Sequence, residues 1–234
     1  MKGLNKFKVK KILLAVVLLG AGVSAANAAQ VPPIYGRLSL GYAIPGGVNY
    51  DGNNQRVDVK QDGNVLTALA LGIQPGAESN KKFKQRYEFE VAYRTFDAKS
   101  VNDVKRAGNE ANRGSTFAGV TTMVNAYLDF ASVPYVQPYV GAGIGAAFID
   151  QDTRFSDTAT STAISTITGK DTVFAAQLMA GATKQINDKI SLQADVKYLT
   201  ALEFDGQRTT GTTKTSVSGN FGETSINFGV RYKF

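Results

Sequence analysis

The stretch TSINFGVRYKF, residues 224–234, alternates between two kinds of side chain. Every second residue from Thr224 is mostly apolar or aromatic, and the residues between them are small or polar. A period of two places the two sets on opposite faces of a β-strand, whereas helical spacing would mix them. An unpaired apolar strand edge invites aggregation, and closing a sheet onto its own first strand removes that edge. We therefore predict that this strand belongs to a closed barrel.

The first 28 residues have the pattern of a secretory signal peptide. Five lysines precede a short apolar run at 12–23, which is followed by the small-residue site Ala-Asn-Ala at 26–28. This order is typical of exported proteins, and the run is shorter than the about 20 residues that a spanning helix requires. We predict a cleaved signal peptide at 1–28 and one mature domain at 29–234. A retained N-terminal anchor is the alternative.

The composition argues against several classes of function. The chain contains no Cys and no His, which removes disulfides, Ser-His-Asp and Cys-His nucleophile systems, and the commonest metal ligand. The formal net charge is +7, and loss of the five lysines of the predicted signal peptide leaves +2, which gives no support to a nucleic-acid partner. We predict that the protein is not an enzyme and binds no cofactor, metal or nucleic acid.

Seven further stretches repeat the alternation, at 34–44, 64–74, 83–96, 117–130, 138–149, 172–184 and 190–202. The connections between the eight stretches alternate between long (48–63, 97–116, 150–171, 203–220) and short (76–82, 131–137, 185–189). Long extracellular loops and short periplasmic turns alternate in this way in outer-membrane barrels. We predict an all-β fold, an eight-stranded antiparallel up-and-down transmembrane β-barrel, with both mature termini in the periplasm. A soluble sheet with a solvated charged face is the alternative.

The charged faces of these strands are predicted to line the lumen, because a charge facing lipid near the midplane costs about 2–4 kcal/mol. Side chains can fill a barrel of eight strands, and buried charges need partners. We therefore expect a plugged lumen held by ion pairs, with Arg86 and Asp129 the first pair; a gated ion path is the alternative. The inward glycines Gly141, Gly143 and Gly145 are expected to leave space for Tyr127 and Arg94. The predicted lumen charges are Arg37, Arg86, Glu88, Glu90, Arg94, Asp129, Asp195, Lys197, Glu223, Arg231 and Lys233.

The loops are predicted to carry whatever binding specificity exists. Two of them contain runs rich in Ser and Thr, at 156–162 and 209–215, which bury little apolar surface. We expect these runs to be mobile.

Two segments, PYVGAGIGAA at 138–147 and FGVRYKF at 228–234, resemble the small OmpA/OmpX-like outer-membrane barrels, in particular the surface-antigen and opacity-type porin-like proteins. The resemblance implies a surface protein of the outer membrane of a Gram-negative bacterium, in contact with membrane lipid, whose loops meet host proteins or the environment. The terminal residues Phe228, Val230, Tyr232 and Phe234 resemble the assembly signal of such barrels, which implies recognition of the last strand by the barrel-assembly machinery.

Two functions remain open at this point. The first is an adhesin, surface antigen or envelope-stabilising protein that displays four extracellular loops on a plugged barrel. The second is a small porin or a channel for small or apolar solutes.

Overall fold

Ten β-strands, each antiparallel to its neighbours, build the fold in a computed structural model that describes residues 32–52, 55–75, 82–103, 109–112, 116–130, 135–156 and 164–234. The predicted signal peptide lies outside the described residues. Among the residues that are described, no helix is long and apolar enough to cross a membrane. The strands are β1 (Ile34–Gly52), β2 (Gln55–Gln61), β3 (Asn64–Ile73), β4 (Phe83–Asp103), β5 (Asn109–Asn112), β6 (Thr116–Phe130), β7 (Gln137–Ser156), β8 (Ile164–Gln185), β9 (Ile190–Thr210) and β10 (Thr213–Lys233).

The ten strands occupy eight positions around one closed ring. Strands β2 and β3 both pair with β1 on one side and β4 on the other, so they share one position that is interrupted at 62–63. Strands β5 and β6 likewise share the position between β4 and β7. The ring closes where β1 pairs with β10 along most of its length. The predicted fold class is confirmed, with two of the eight positions divided into two strands each.

The predicted extent of the loops is wrong, because the strands continue well into the segments that were assigned to loops. Strand β1 runs on to Gly52 and β2 returns from Gln55, so that most of 48–63 is a paired hairpin. Within it Val48 and Val59 are buried inside the barrel wall. The alternation therefore continues into this hairpin, although polar residues around the buried positions obscure it in the sequence. Strand pairing provides hydrogen-bond partners for the backbone N–H and C=O groups of the hairpin as it does in the rest of the ring.

The Ser/Thr-rich run at 209–215 is also a hairpin, where we expected a mobile loop. Strands β9 and β10 pair up to Thr210 and Thr213 and are joined by a two-residue turn. Gly211 adopts a φ of 60° at this turn, a conformation that glycine takes without steric cost, and threonine fits a strand well. Most of the other Ser/Thr-rich run, residues 157–162, lies outside the described residues.

The two faces of the strands separate as the alternation predicts. On β8, Leu178 is 63% exposed on the outside of the ring while its neighbours Gln177 and Met179 are buried inside it. The outer face of the other strands carries large exposed hydrophobic side chains in the same phase. Lys233 does not join the lumen as predicted: it is exposed at the end of β10, although its backbone still pairs with Tyr35 on β1.

Candidate functional site

Glu88 on β4 is the centre of a buried polar network inside the ring. Its carboxylate forms ion pairs with Arg37 (2.8 Å) and Arg86 (2.7 Å). The same carboxylate accepts hydrogen bonds from the hydroxyl groups of Tyr35 (2.8 Å) and Tyr127 (3.0 Å). Both cations and the carboxylate are almost completely excluded from solvent. Four strands, β1, β3, β4 and β6, surround this group, and three of them contribute to it.

Arg86 links Glu88 to a second carboxylate. Its Nε and Nη2 donate to Asp129 at 3.1 and 3.2 Å, so the structure brings together the two residues that we expected to pair first. The guanidinium carbon lies 3.9 Å from the centre of the Tyr127 ring and 4.9 Å from that of Tyr139. Such stacking adds to the ion pair where water is excluded. The guanidinium of Arg86 therefore contacts carboxylates at its edge and aromatic rings at its planar face.

Glu90 carries the network across the barrel. It accepts from Lys197 Nζ at 2.7 and 2.8 Å, from Arg37 Nη2 at 2.6 Å and from Gln177 Nε2 at 3.3 Å. Glu90 lies on β4 and Lys197 on β9, which occupy opposite positions of the eight-membered ring. This ion pair therefore spans the lumen rather than the gap between neighbouring strands.

A further ion pair of the lumen lies closer to the hairpin end of the ring, where β9 and β10 are joined at residues 211–212. Arg94 on β4 donates to the carboxylate of Glu223, which lies on β10, and to Thr121 Oγ1 at 2.9 Å.

 Along the strands, Arg94 follows Glu90 by four residues and Glu223 precedes Asn227 by four, so this pair lies on the hairpin side of the Glu90 network.

Two of the ten buried charges that were predicted to face the lumen make no ion pair with another described residue. Asp195 instead accepts hydrogen bonds from Tyr139 (2.8 Å), Asn227 (2.9 Å) and Gln193 (3.1 Å). Arg231 lies over the ring of Tyr35, 5.0 Å from its centre, and its Nη1 has no hydrogen-bond partner among the described residues. Neutral donors thus satisfy the aspartate, and an aromatic face supports the arginine.

The predicted lumen charges are balanced in sign. The ten predicted residues other than Lys233 are all buried, and they comprise five cations and five anions. An uncompensated buried charge would be far more costly than a paired one. The sequence reasoning did not identify the neutral members of the network, Tyr35, Tyr139, Gln177 and Gln193, although their inward phase on the strands could have indicated them.

An apolar layer fills the hairpin end of the lumen, and the sequence analysis missed it. Its centre is a group of three rings, in which Phe117 stacks on Phe221 with 5.0 Å between ring centres and Phe96 lies 5.7 Å from Phe221. All three are at most 4% exposed. Phe96 follows Arg94 by two residues, at the last position of the predicted strand 83–96, and Phe221 precedes Glu223 by two, just before the predicted strand 224–234. Following the inward phase to and past these strand ends would have found them. The interior therefore contains an apolar layer on the hairpin side of the Arg94–Glu223 pair, together with buried polar residues such as Gln151 and Arg208.

Glycines on the inner wall make room for the large side chains. A Cβ atom at Gly141 would lie 2.5 Å from the Tyr127 ring, in agreement with the expected role of this glycine. Gly143 and Gly145 lie against Asn125 and Met123, and Arg94 packs beside Gly119. The space for Arg94 therefore does not come from the three glycines of β7.

We predict that Gly72→Ala destabilises the barrel by roughly 1–3 kcal/mol. A Cβ atom at Gly72 would lie 2.3 Å from the ring of Tyr35, which is held in place by its hydrogen bond to Glu88. The free energy of unfolding in urea, measured on protein refolded into detergent micelles, checks this. Gly119→Ala is the matched control, because its new methyl group would meet its nearest neighbour at an ordinary 3.6 Å. Equal stability of the two variants would contradict the packing described here.

The ion pairs on the outer surface of the ring differ from those in the lumen because they are exposed. On the β7 hairpin, Arg154 donates to both carboxylate oxygens of Asp152, and this hydrogen bonding raises the pKa of Arg154. Asp150 pairs with Lys170 nearby, and all four side chains are well exposed. Within the described ranges, no group of three or more Asp and Glu residues is arranged to hold a metal ion. The buried network is thus the main concentration of interacting charge in the part of the chain that the structure describes.

Comparison with known proteins agrees with this architecture. The crystal structure of the outer membrane protein OprG from Pseudomonas aeruginosa matches 87% of this chain and 96% of its own, with a TM-score of 0.55 and 14% identity. The outer membrane protease OmpT from Escherichia coli matches 89% of this chain and 99% of its own, with a TM-score of 0.56 and 8% identity. At these identities the likeness extends to the fold alone.

A relative of higher identity covers a shorter stretch. An uncharacterized protein of Brucella abortus is 42% identical over 82 residues, which are 34% of this chain. The match spans 29% of the length of that relative.

The family comparison covers almost the whole chain. The model of the family described as "Outer membrane protein beta-barrel domain" matches residues 13–234. This match agrees with the closed antiparallel ring and its apolar outer face, and it confirms the resemblance found in the sequence. The chain belongs to the outer membrane protein beta-barrel domain family.

Proposed function

We propose that this protein is a plugged outer-membrane barrel that displays four β-hairpins at the cell surface as an adhesin or surface antigen. The observation that carries the proposal is the filled lumen. The Glu90–Lys197 pair crosses it at one level and the three phenylalanine rings occupy it at another. Side chains anchored in this way leave the hairpins, rather than the lumen, as the surface available for interactions.

The proposed orientation follows from the connections at the two ends of the ring. At one end of the ring, β9 ends at Thr210 and β10 begins at Thr213, and both residues lie far beyond the exposed aromatic residue Tyr198. At the other end, β8 and β9 are joined by residues 186–189. Long connections face outward in outer-membrane barrels. We place the hairpins outside the cell and both ends of the mature chain, 29–234, in the periplasm after removal of the signal peptide at 1–28.

The terminal strand supports a proposed role in assembly. Phe228, Val230, Tyr232 and Phe234 all face outward and are 42–72% exposed, while the Phe234 amide donates to the carbonyl of Ile34 at 3.1 Å and helps to close the ring. We propose that the barrel-assembly machinery reads this row of apolar side chains before closure. A catalytic role is not part of the proposal, because the chain has no His and the likeness to a protease is one of fold.

We predict that the refolded protein shows no steady conductance in planar bilayers. Ion pairs and aromatic rings fill the lumen, and opening a path would require separation of buried ion pairs. Single-channel recording in potassium chloride, with a general porin inserted under the same conditions as the positive control, checks this. A steady open level with ohmic current would favour the alternative of a small porin.

We predict that shortening the β9–β10 hairpin reduces adhesion without unfolding the barrel. Residues 208–215 would be replaced by Asn-Gly, a pair that forms a two-residue hairpin turn, between Gln207 and Ser216, which already face each other. The matched control replaces only Gly211 and Thr212 by Asn-Gly and so retains the length. Adherence of bacteria that express each variant to cultured host cells is measured, with heat-modifiable gel migration as the test of folding. Equal adherence of both variants would exclude this hairpin as the binding surface.

A further inference from the structure

Two lysines lie on the outer face of the ring, at the end where residues 186–189 join β8 to β9. Lys184 is exposed on β8 and pairs across the ladder with Leu192 of β9, which is 45% exposed. Lys189 lies at the end of the connection, and its Nζ is 5.8 Å from the centre of the Tyr232 ring on β10. Because Tyr232 faces outward, the two cations lie on either side of β9 on the outside of the wall.

Hydrogen bonds within the connection fix the position of Lys189. The amide groups of Lys189 and Ile190 both donate to Asn187 Oδ1, at 2.9 and 2.8 Å. The carbonyl of Lys189 accepts from the amide of Lys233 at 2.8 Å, which ties the connection to the end of β10. A short hydrogen-bonded turn, rather than a long loop, therefore holds this lysine beside Tyr232.

The two ammonium groups have no ion-pair partner among the residues that the structure describes. Asp188, the one acidic residue of the connection, is exposed and pairs with neither of them. Toward the hairpin end of β8, in contrast, the exposed Lys170 pairs with Asp150. Basic side chains next to a membrane surface attract anionic lipid, so Lys184 and Lys189 supply the charge that a lipid phosphate requires.

An apolar surface adjoins the two lysines on the outer face. Leu192 lies on β9, between β8 and β10, and pairs across the ladder with Val230; both side chains are nearly half exposed. Neighbouring strands are about 4.8 Å apart, so β8 and β10 lie about 10 Å from each other. The long side chains of Lys184 and Lys189 can therefore reach one phosphate group above β9. The acyl chains of a lipid bound in this way lie over Leu192 and Val230.

We propose that this surface, which we call the dilysine site, binds an anionic phospholipid whose phosphate group lies between Lys184 and Lys189. Hydrogen bonds from an ammonium group to a phosphate are charge-assisted and strong. The site selects phosphatidylglycerol over phosphatidylcholine, because the choline group of the latter carries a compensating positive charge. The occupant is a lipid rather than free phosphate, because the lysines adjoin apolar side chains on the face that meets the membrane.

The dilysine site is independent of the proposed role of the hairpins. It lies at the opposite end of the ring from the β9–β10 hairpin turn, and its chemistry is the same whichever end faces the periplasm.

The absence of Trp from the chain makes a direct measurement possible. Tyr232→Trp places a single indole beside Lys189. Tyr87→Trp is the matched control: Tyr87 is 41% exposed and Tyr232 42%, and the outward residues of β4 toward the same end of the ring, Phe83 and Gln85, carry no charge. Each protein is refolded into vesicles of phosphatidylcholine and phosphatidylglycerol in which the acyl chains of one lipid or the other are brominated.

Quenching of the indole by each brominated lipid gives the relative affinity of the two lipids for that part of the wall. We expect Y232W to prefer phosphatidylglycerol by at least about fivefold, the change that one lysine near an anionic surface provides. We expect Y87W to show no preference.

Substitutions in the Y232W background test the two lysines. Lys184→Gln combined with Lys189→Gln should abolish the preference for phosphatidylglycerol, whereas Lys214→Gln, which removes an exposed lysine from the β10 side of the hairpin, should leave it unchanged. All three positions are exposed, so the variants should fold, and heat-modifiable gel migration checks this. An equal preference in Y232W and Y87W, or a preference that survives the double substitution, would show only general attraction of anionic lipid and would overturn the proposal.

Inorganic phosphate distinguishes a lipid site from a free-anion site. Sodium phosphate and sodium chloride are compared at equal ionic strength, so that both screen the surface charge to the same extent. We expect the two salts to reduce the preference of Y232W equally. Loss of the preference in phosphate alone would assign the lysines to free phosphate and would overturn the assignment to a lipid.

Discussion

Glu88→Gln should lower the free energy of unfolding by about 3–5 kcal/mol, the cost of breaking a buried ion pair by removing one partner. The substitution keeps the size of the side chain but leaves one oxygen. Tyr35 and Tyr127 donate to different oxygens of the Glu88 carboxylate, so only one of the two hydroxyl groups keeps its acceptor. It removes the charge that faces both Arg37 and Arg86, each almost completely buried. Urea titration of the protein in detergent micelles, followed by circular dichroism, measures the difference.

The control for this substitution is Asp150→Asn. It removes the same charge from the pair with Lys170, whose side chains are 79% exposed for the lysine and 55% for the aspartate. Exposed ion pairs contribute about 0–1 kcal/mol, so we expect a change within that range. If Glu88→Gln were no more destabilising than Asp150→Asn, the lumen network would not be the element that holds the interior together.

Leu69→Arg should destabilise the barrel by about 2–4 kcal/mol, the cost of a cation at the midplane of the lipid-facing surface. Leu69 is 58% exposed, lies in the middle of β3 (Asn64–Ile73) and has Leu38 and Val91 opposite it on the two neighbouring strands. An arginine side chain at this exposed position would face lipid. The free energy of unfolding in lipid vesicles is the quantity to measure, since the effect depends on the bilayer.

Leu202→Arg is the matched control for depth. Leu202 is 56% exposed, nearly the same fraction as Leu69, and lies on β9 four residues beyond Tyr198 toward the hairpin turn. Near the interface the cost of an arginine falls to about 0–1 kcal/mol. A cost at position 202 equal to that at position 69 would mean that the outer belt does not lie in the membrane as we describe it.

The orientation of the strands was predictable because alternation is a local property. Successive side chains of a strand point to opposite faces. Met179 on β8 therefore faces inward although it is apolar and departs from the alternation of polar and apolar residues in the sequence. The pairing of Arg86 with Asp129 was within reach for a related reason. The two residues lie low on adjacent strands, where proximity follows from topology.

Contacts across the lumen were not predictable in this way. Glu90 and Lys197 lie on opposite walls, and their meeting depends on the stagger of the whole ring, which no local pattern gives. The apolar layer was not predicted for another reason. Its rings, Phe96, Phe117 and Phe221, lie at or beyond the predicted ends of the strands, where the polar residues nearby were assigned to loops. A polar composition excludes a membrane span but does not exclude a paired hairpin.

The most direct test of the central claim, that mixed charges face inward and apolar residues face lipid, is a spin-label scan of β3. The chain has no Cys, so single cysteines from Val65 to Ile73 each carry one nitroxide, and collisions with oxygen, which concentrates in lipid, are measured in vesicles. The structure predicts high oxygen accessibility at Val65, Leu69 and Leu71 and low accessibility at Leu66, Ala68 and Ala70. The opposite phase, or no alternation along the strand, would contradict the account.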